Sequence, residues 1–240
     1  MTVDDARHEW TRHAAWWLDE IRDDPIYRLD VLPLADRLLA AASGVLLDLG
    51  CGEGQVMAQR AEVTVGCDIS MDLLRLASGP AVCAQLPDLS WLRSDSIDAG
   101  YMILVLEHLS NLDIFGAAAR VVRRGGLLVV VMNHPAFTSE AAGPIVDSVD
   151  GELLWRWGDY FRATRIPMAT PHAEVTFYHR PLGDILNAAA NAGWCLDEFV
   201  EAGFSDAAVA TEPGYEGQQQ IPRLLGVRWM NTQGSCRGGR

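Results

Sequence analysis

The stretch Val45–Gln55, VLLDLGCGEGQ, decides the fold. Val45 to Leu49 is apolar except for Asp48, as a strand covered on both faces reads. It opens into a loop with glycine at 50, 52 and 54. Glycine at every second position frees the backbone to take positive φ and lets another group touch the main chain. After a buried strand, such a loop lies at the carboxyl rim of a parallel sheet, where open α/β sheets bind ligands. The spacing also excludes a reading: the dinucleotide fingerprint needs a glycine three residues beyond the second, and position 55 is Gln.

Asp48, Leu49, Gly50, Cys51, Gly52, Glu53 and Gly54 together resemble the first motif of the class I S-adenosylmethionine-dependent methyltransferases. The motif is an acidic residue, an apolar residue and G-x-G-x-G. The resemblance implies S-adenosyl-L-methionine as cofactor, with the loop under its methionine part. It also implies an α/β fold of three Rossmann-like layers, with a seven-stranded mixed sheet in the order 3-2-1-4-5-7-6 and strand 7 antiparallel. Within the family, the chain is most similar in outline to small-molecule enzymes of the ubiquinone- and menaquinone-biosynthesis kind. A tight turn that binds nothing would read the same here, so the remaining chain must decide.

The second strand, Val63 to Cys67, ends in Asp68, 18 residues after Gly50. A βαβ unit delivers an acid to a ribose at a distance of about 20 residues, and a carboxylate accepts both protons of a vicinal diol. The family pattern of Asp, apolar residue and Ser is met by Asp68, Ile69 and Ser70. It places Ile69 on the adenine face, while Ser70 caps the next helix. The third strand is expected over residues 81–86. There the chain departs from the pattern: Val82 and Cys83 stand where many relatives carry an acid for the adenine amino group. The Cys83 backbone N–H is left to meet the ring.

In SIDAGYMILVLEHL, residues 96–109, Asp98 precedes an apolar run that ends in Glu107-His108. By resemblance Ile103 joins the cofactor-binding residues. His108 lies near the strand's carboxyl end, where it either orients substrate and takes a proton, or bonds nearby backbone to fix the turn. A helix from Asn111 to Val122 stops at Gly125-Gly126, and a fifth strand from Leu127 to Met132 closes with Asn133-His134-Pro135. His134 is the first choice for a substrate-facing base, against a purely structural role. Asp98 stands at the wrong strand end and Asn133-His134 is not a carboxylate pair, so no metal is expected.

Before the core, Trp10, Ala14, Trp17 and Ile21 recur at helical spacing, followed by a second helix through Tyr27, Val31, Leu34, Leu38 and Ala41. These helices either lid the substrate or pack on the sheet. After the core, residues 137–178 are long for a connection in a compact domain. Their aromatic and charged side chains suit a cap over a small substrate. Tyr27, Tyr160, His172 and His179 are the expected substrate contacts. Trp194 to Val200 and Ile221 to Trp229 supply the sixth and seventh strands. The expected organisation is one methyltransferase domain: a helical lid over 1–44, the cofactor core over 45–135, a cap over 136–178, the rest of the core over 179–230, and a tail from 231.

Composition bounds the partners. The 240 residues, 49% hydrophobic, suffice for one substantial core. A formal charge of -13 gives a field that repels phosphate backbones and anionic membranes. The five scattered cysteines read as reduced packing residues of a cytoplasmic protein, monomer or homodimer. The expected function is methyl transfer from S-adenosylmethionine to an O, N or C nucleophile of a small molecule, a specialised metabolite. The alternatives are a protein or RNA methyltransferase, or a noncatalytic member that only binds the cofactor.

Overall fold

The computed structural model describes residues 10, 14, 17–18, 24–169 and 174–232. His172, most of the first amino-terminal helix and the last eight residues therefore lie outside the described part.

Eleven strands run through the described chain: β1 (Val45–Leu49), β2 (Val63–Asp68), β3 (Ala81–Cys83), β4 (Ile97–Ile103), β5 (Val122–Asn133), β6 (Gly143–Val146), β7 (Leu153–Arg156), β8 (Thr164–Ala169), β9 (Glu174–His179), β10 (Trp194–Ala202) and β11 (Leu224–Asn231). Seven build one sheet in the order β3-β2-β1-β4-β5-β11-β10. The five strands from β3 to β5 run parallel, and β11 is antiparallel to both β5 and β10. With β10 and β11 as the sixth and seventh core strands, this is the expected order 3-2-1-4-5-7-6 with the seventh reversed.

Strand alternation sorts the core into two layers. Leu128, Val130 and Met132 of β5 join Leu47 and Leu49 of β1 on one face, under the helices Ile114–Val121 and Leu182–Asn191. Val129 and Val131, with Leu46, face the other side, under Tyr27–Val31 and Leu32–Leu39. Two buried polar bonds lie in the first of these layers: the Trp194 indole N–H donates to the Phe115 carbonyl at 2.9 Å, and Asn231 Nδ2 donates to Val122 O at 2.7 Å.

The half of the sheet from β1 to β3 is economical in helix. A short 3₁₀ turn, Met57–Gln59, joins β1 to β2, and a four-residue helix, Met71–Leu74, joins β2 to β3. Ser70 caps that helix, its hydroxyl accepting the Leu73 N–H at 3.4 Å.

Two boundaries differ from expectation. The helix Ile114–Val121 passes directly into β5, which starts at Val122 and not at Leu127. The ladder with β4 jumps from the pair Ile97–Val122 to Ala99–Leu127, so residues 123–126 bulge outward. Gly126 permits this, because a Cβ there would come within 2.5 Å of the Asp98 carbonyl oxygen. The segment 137–178 is also more regular than it reads, with β6 and β7 forming one antiparallel hairpin and β8 and β9 another.

Cys51, Cys67 and Cys83 are free thiols, whereas Cys195 is disulfide-bonded, which corrects the reading of every cysteine as reduced. No helix among the described residues is long and apolar enough to cross a membrane.

Candidate functional site

β1 delivers its glycine loop to the carboxyl rim of the sheet, and the main chain of β2 anchors it there. Gly50 N–H and Cys51 N–H both donate to the Cys67 carbonyl, at 2.8 and 3.0 Å. Gly50, Gly52 and Gly54 take φ of 79, 53 and 78°, a region that strains any residue with a Cβ. At Gly50 the packing is equally restrictive, since a Cβ would stand 2.6 Å from a Val105 methyl carbon. At Gly52 its nearest neighbour would be Leu73, at 3.7 Å.

Asp68 closes the second side. One carboxylate oxygen accepts the Gly52 N–H at 3.0 Å and the other accepts the Ser70 N–H at 2.7 Å, fixing the group between loop and helix start. Burial raises its pKa, and the Ser70 and Gly52 N–H groups oppose that rise. Asp48 is more deeply placed. Burial pushes its carboxyl up to about 8, the neighbouring Tyr101 hydroxyl works against this, and the charges of Asp68 and Glu53 add to it. Burial likewise pushes the Cys51 and Cys67 thiols up, which disfavours the thiolate.

Asp48, Gly50, Cys51, Gly52 and Asp68 line one cleft of about 1060 Å³, counting its open mouth. Ile69, Leu73, Ala84 and Leu86 line it with apolar side chains, with Gln85 among them, and Trp10, Trp17, Tyr27 and His108 line it with rings. The carboxylates Asp48, Glu53 and Asp68 all line it, and no Lys or Arg does among the described residues. Glu53 accepts the Trp17 indole N–H at 2.8 Å, and the Trp17 ring meets Tyr27 edge-on at 5.8 Å. Leu104, also on the wall, takes a φ of 56° while its N–H donates to the Val131 carbonyl at 2.8 Å.

His108 is held by the cap. Its Nδ1 lies 2.9 Å from the Thr176 carbonyl on β9, and its ring packs edge-on against Phe177 at 4.7 Å and Trp10 at 5.0 Å. The neighbouring Glu107 is buried, taking the Asn133 backbone and side-chain N–H groups on one oxygen, at 3.1 and 2.8 Å. Asn133 in turn accepts from Arg223. The turn that presents His108 is thus tied to the ends of β5 and β11.

The expected site residues divide. Asp48, Gly50, Cys51, Gly52, Asp68, Ile69, Ile103, Tyr27 and His108 share the cleft; Gly54, Cys83, His134, Tyr160 and His179 do not line it. Gly54 shapes the loop from below, its N–H donating to the Cys51 carbonyl at 2.8 Å. The exposed Cys83 thiol points to the Ile69 carbonyl at 3.6 Å. His134, the first choice of base, caps the helix Pro135–Thr138, its Nδ1 accepting the Ala136 N–H at 3.0 Å and its Nε2 meeting Glu201 at 2.9 Å. His179 is occupied too, donating from Nε2 to the Tyr160 carbonyl at 2.8 Å, while its Nδ1 takes the Thr138 hydroxyl at 3.3 Å. The Tyr160 hydroxyl accepts the Leu182 N–H at 3.2 Å, so Tyr160 and His179 hold cap to core. Glu53, Gln85 and Leu104 are cleft residues that the sequence did not single out.

A family model for the methyltransferase domain matches residues 47–130. Among solved structures, an S-adenosylmethionine-dependent methyltransferase from Mesorhizobium loti superposes with a TM-score of 0.70 at 25% identity, over 82% of this chain and 95% of that one. A candidate enzyme of the same kind from Listeria monocytogenes gives 0.68 at 20% identity, over 83% and 96%. The Streptomyces coelicolor geranyl diphosphate C-methyltransferase, solved with magnesium, geranyl diphosphate and S-adenosyl-L-homocysteine, gives 0.60 at 12%, over 95% and 97%, a likeness of fold. No curated protein matches the chain.

Proposed function

We propose that this chain, a class I S-adenosylmethionine-dependent methyltransferase, passes the cofactor's methyl group to a small neutral or cationic acceptor with an O, N or C nucleophile, in keeping with a specialised metabolite. The observation that carries the reading is the single cleft in which the glycine loop and Asp68 meet Trp10, Trp17, Tyr27 and His108.

The residues fit the cofactor. Asp68, pinned by Gly52 and Ser70, offers its carboxylate to the ribose diol, and Ile69, Leu73, Ala84 and Leu86 offer apolar faces to a purine. Asp48, Glu53 and Asp68 line the cleft and no Lys or Arg does among the described residues, so no positive side chain there opposes a cationic sulfonium. When bound, S-adenosylmethionine supplies a methyl group on a positively charged sulfur, whose departure needs no protein acid.

What remains for the chain is alignment, dryness and one proton. Holding two reactants in line supplies several kcal/mol of barrier lowering, up to ~7 to 11 in well-oriented models. Trp10, Trp17 and Tyr27 give flat walls against which a small acceptor is held and from which water is displaced. His108, with Nδ1 engaged by the cap, takes the acceptor's proton on Nε2. The acidic lining argues against carboxylate, phosphate or nucleic-acid acceptors.

Calorimetry with S-adenosyl-L-homocysteine, followed by mass-spectrometric detection of methyl transfer to phenols, amines and their carboxylated or phosphorylated analogues, tests the proposal. Binding and transfer to uncharged or cationic acceptors is the expected result. No binding would remove the cofactor reading, and a preference for the anionic analogues would remove the acceptor class.

A further inference from the structure

Gln85 lines the cleft together with Ile69, Leu73, Ala84 and Leu86, and its side-chain Oε1 is buried without a hydrogen-bond partner among the described residues. A buried acceptor left unmade is costly, and in a ligand site it marks where a ligand donor belongs. The backbone around Gln85 is held on both sides. Ala84 N–H donates to the Asp68 carbonyl at 2.9 Å, and Asp88 N–H donates to the Gln85 carbonyl at 2.9 Å. The root of the Gln85 side chain is thereby fixed relative to the acid that faces the ribose. Val82 and Cys83, just before it, carry no carboxylate, and neither lines the cleft.

An adenine ring presents a 6-amino donor beside the N1 acceptor. Ile69, Leu73, Ala84 and Leu86 have no side-chain group for either. A carboxamide matches both, accepting on oxygen and donating from nitrogen. We propose that Gln85 is the residue that recognises the purine edge of the cofactor, its Oε1 accepting from the 6-amino group and its Nε2 donating to N1. This rests on the S-adenosylmethionine reading of the cleft and adds a specificity to it.

The specificity differs from that of a carboxylate at the same edge. A carboxylate only accepts, so it takes the 6-amino group and repels a 6-oxo group. A carboxamide turned by 180° presents its N–H to a 6-oxo group and its oxygen to an N1–H, which is the edge of hypoxanthine. The protein should therefore bind the inosine form of the demethylated cofactor nearly as well as the adenosine form.

Binding of S-adenosyl-L-homocysteine and S-inosyl-L-homocysteine is to be measured by calorimetry on the wild type, Gln85→Leu and Gln85→Glu, with the thermal midpoint of each ligand-free protein recorded. The wild type should bind the two ligands within about threefold of each other. Gln85→Leu should lose roughly tenfold for both, the size of one or two net hydrogen bonds. Gln85→Glu should keep the adenosine form within about threefold and lose the inosine form by at least about tenfold. Unchanged affinity in Gln85→Leu, or a wild type that rejects the inosine form as the Glu variant does, would overturn the assignment while leaving the cofactor reading intact. If Gln85→Leu does not fold, the selectivity of Gln85→Glu against wild type decides alone. Failure of the wild type to bind either ligand would remove the cofactor reading, and this inference with it.

Discussion

His108 Nδ1 lies 2.9 Å from the carbonyl oxygen of Thr176. A carbonyl only accepts, so Nδ1 carries a proton, and in the neutral ring the lone pair is on Nε2. The cap thus sets the tautomer of a residue that belongs to the core. For a phenol, alcohol or protonated amine acceptor, His108→Ala should lower turnover by ~100-fold or more, while affinity for S-adenosyl-L-homocysteine changes by less than about twofold. Parallel steady-state and calorimetric measurements check this; equal losses in both would make His108 a packing residue for the cleft.

Gly50 and Gly52 have similar backbone conformations and different surroundings, and substitution should separate them. Gly50→Ala meets both an unfavourable φ and the Val105 side chain at 2.6 Å. Gly52→Ala meets the φ cost alone, about 1 to 2 kcal/mol, since its nearest neighbour would be at 3.7 Å. Urea unfolding should show Gly50→Ala as the less stable protein, with Val105→Ala restoring part of the difference. Cofactor binding should fall further in Gly52→Ala than the stability loss accounts for, because its methyl projects into the cleft. Equal stability of the two variants would mean that Val105 yields without cost.

How far the sequence could be read follows from what a pattern encodes. The loop at 50–54 and Asp68 were legible because spacing along a strand–turn–strand unit determines which backbone groups reach the same rim. His108 and His134 both close strands, so position alone could not rank them. The difference lies in direction: Pro135 starts a helix, and His134 is turned back to cap it. A histidine immediately before a proline was the available signal. The β6–β7 and β8–β9 hairpins were illegible for another reason. A hairpin with both faces partly exposed has no clean apolar alternation, and Val146, Trp157 and Phe161 are exposed around it. Gln85 carried no signal, since an unpaired carbonyl becomes visible only when its neighbours are in place.

Asp48 should make the ligand-free protein less stable as pH rises. Burial, with the charges of Asp68 and Glu53, pushes its folded pKa up to about 8, against about 3.9 in an unfolded chain. Between those values the folded state holds the extra proton, so its contribution is fully present below about pH 4 and is lost as pH passes through about 8. Asp48→Asn should flatten this part of the wild-type curve in thermal unfolding from pH 5 to 9. A cationic ligand favours the ionised carboxylate, so binding S-adenosylmethionine near pH 7 should release protons from wild type and fewer from Asp48→Asn. Calorimetry in buffers of different ionisation heat reads the difference, and equal release would show that Asp48 does not titrate there.

His134 should behave in the opposite sense and outside the chemistry. Its Nδ1 accepts the Ala136 N–H, so the neutral ring with its proton on Nε2, toward Glu201, is the form that the fold holds. Burial depresses its pKa below the usual imidazole value, with the Glu201 charge acting against that. A depressed folded pKa means that the folded state binds fewer protons, so the stabilisation is present above the unfolded value of about 6.5 and is lost as pH falls below it. His134→Ala also removes a helix cap, which costs about 0.5 to 2 kcal/mol. Urea unfolding should therefore show the variant less stable at pH 8, with the gap to wild type narrowing toward pH 5. Turnover per folded molecule should stay at the wild-type level. A turnover loss with unchanged stability would put His134 back among the reacting groups, and only a rearranged strand end that freed Nδ1 from Ala136 could bring it there.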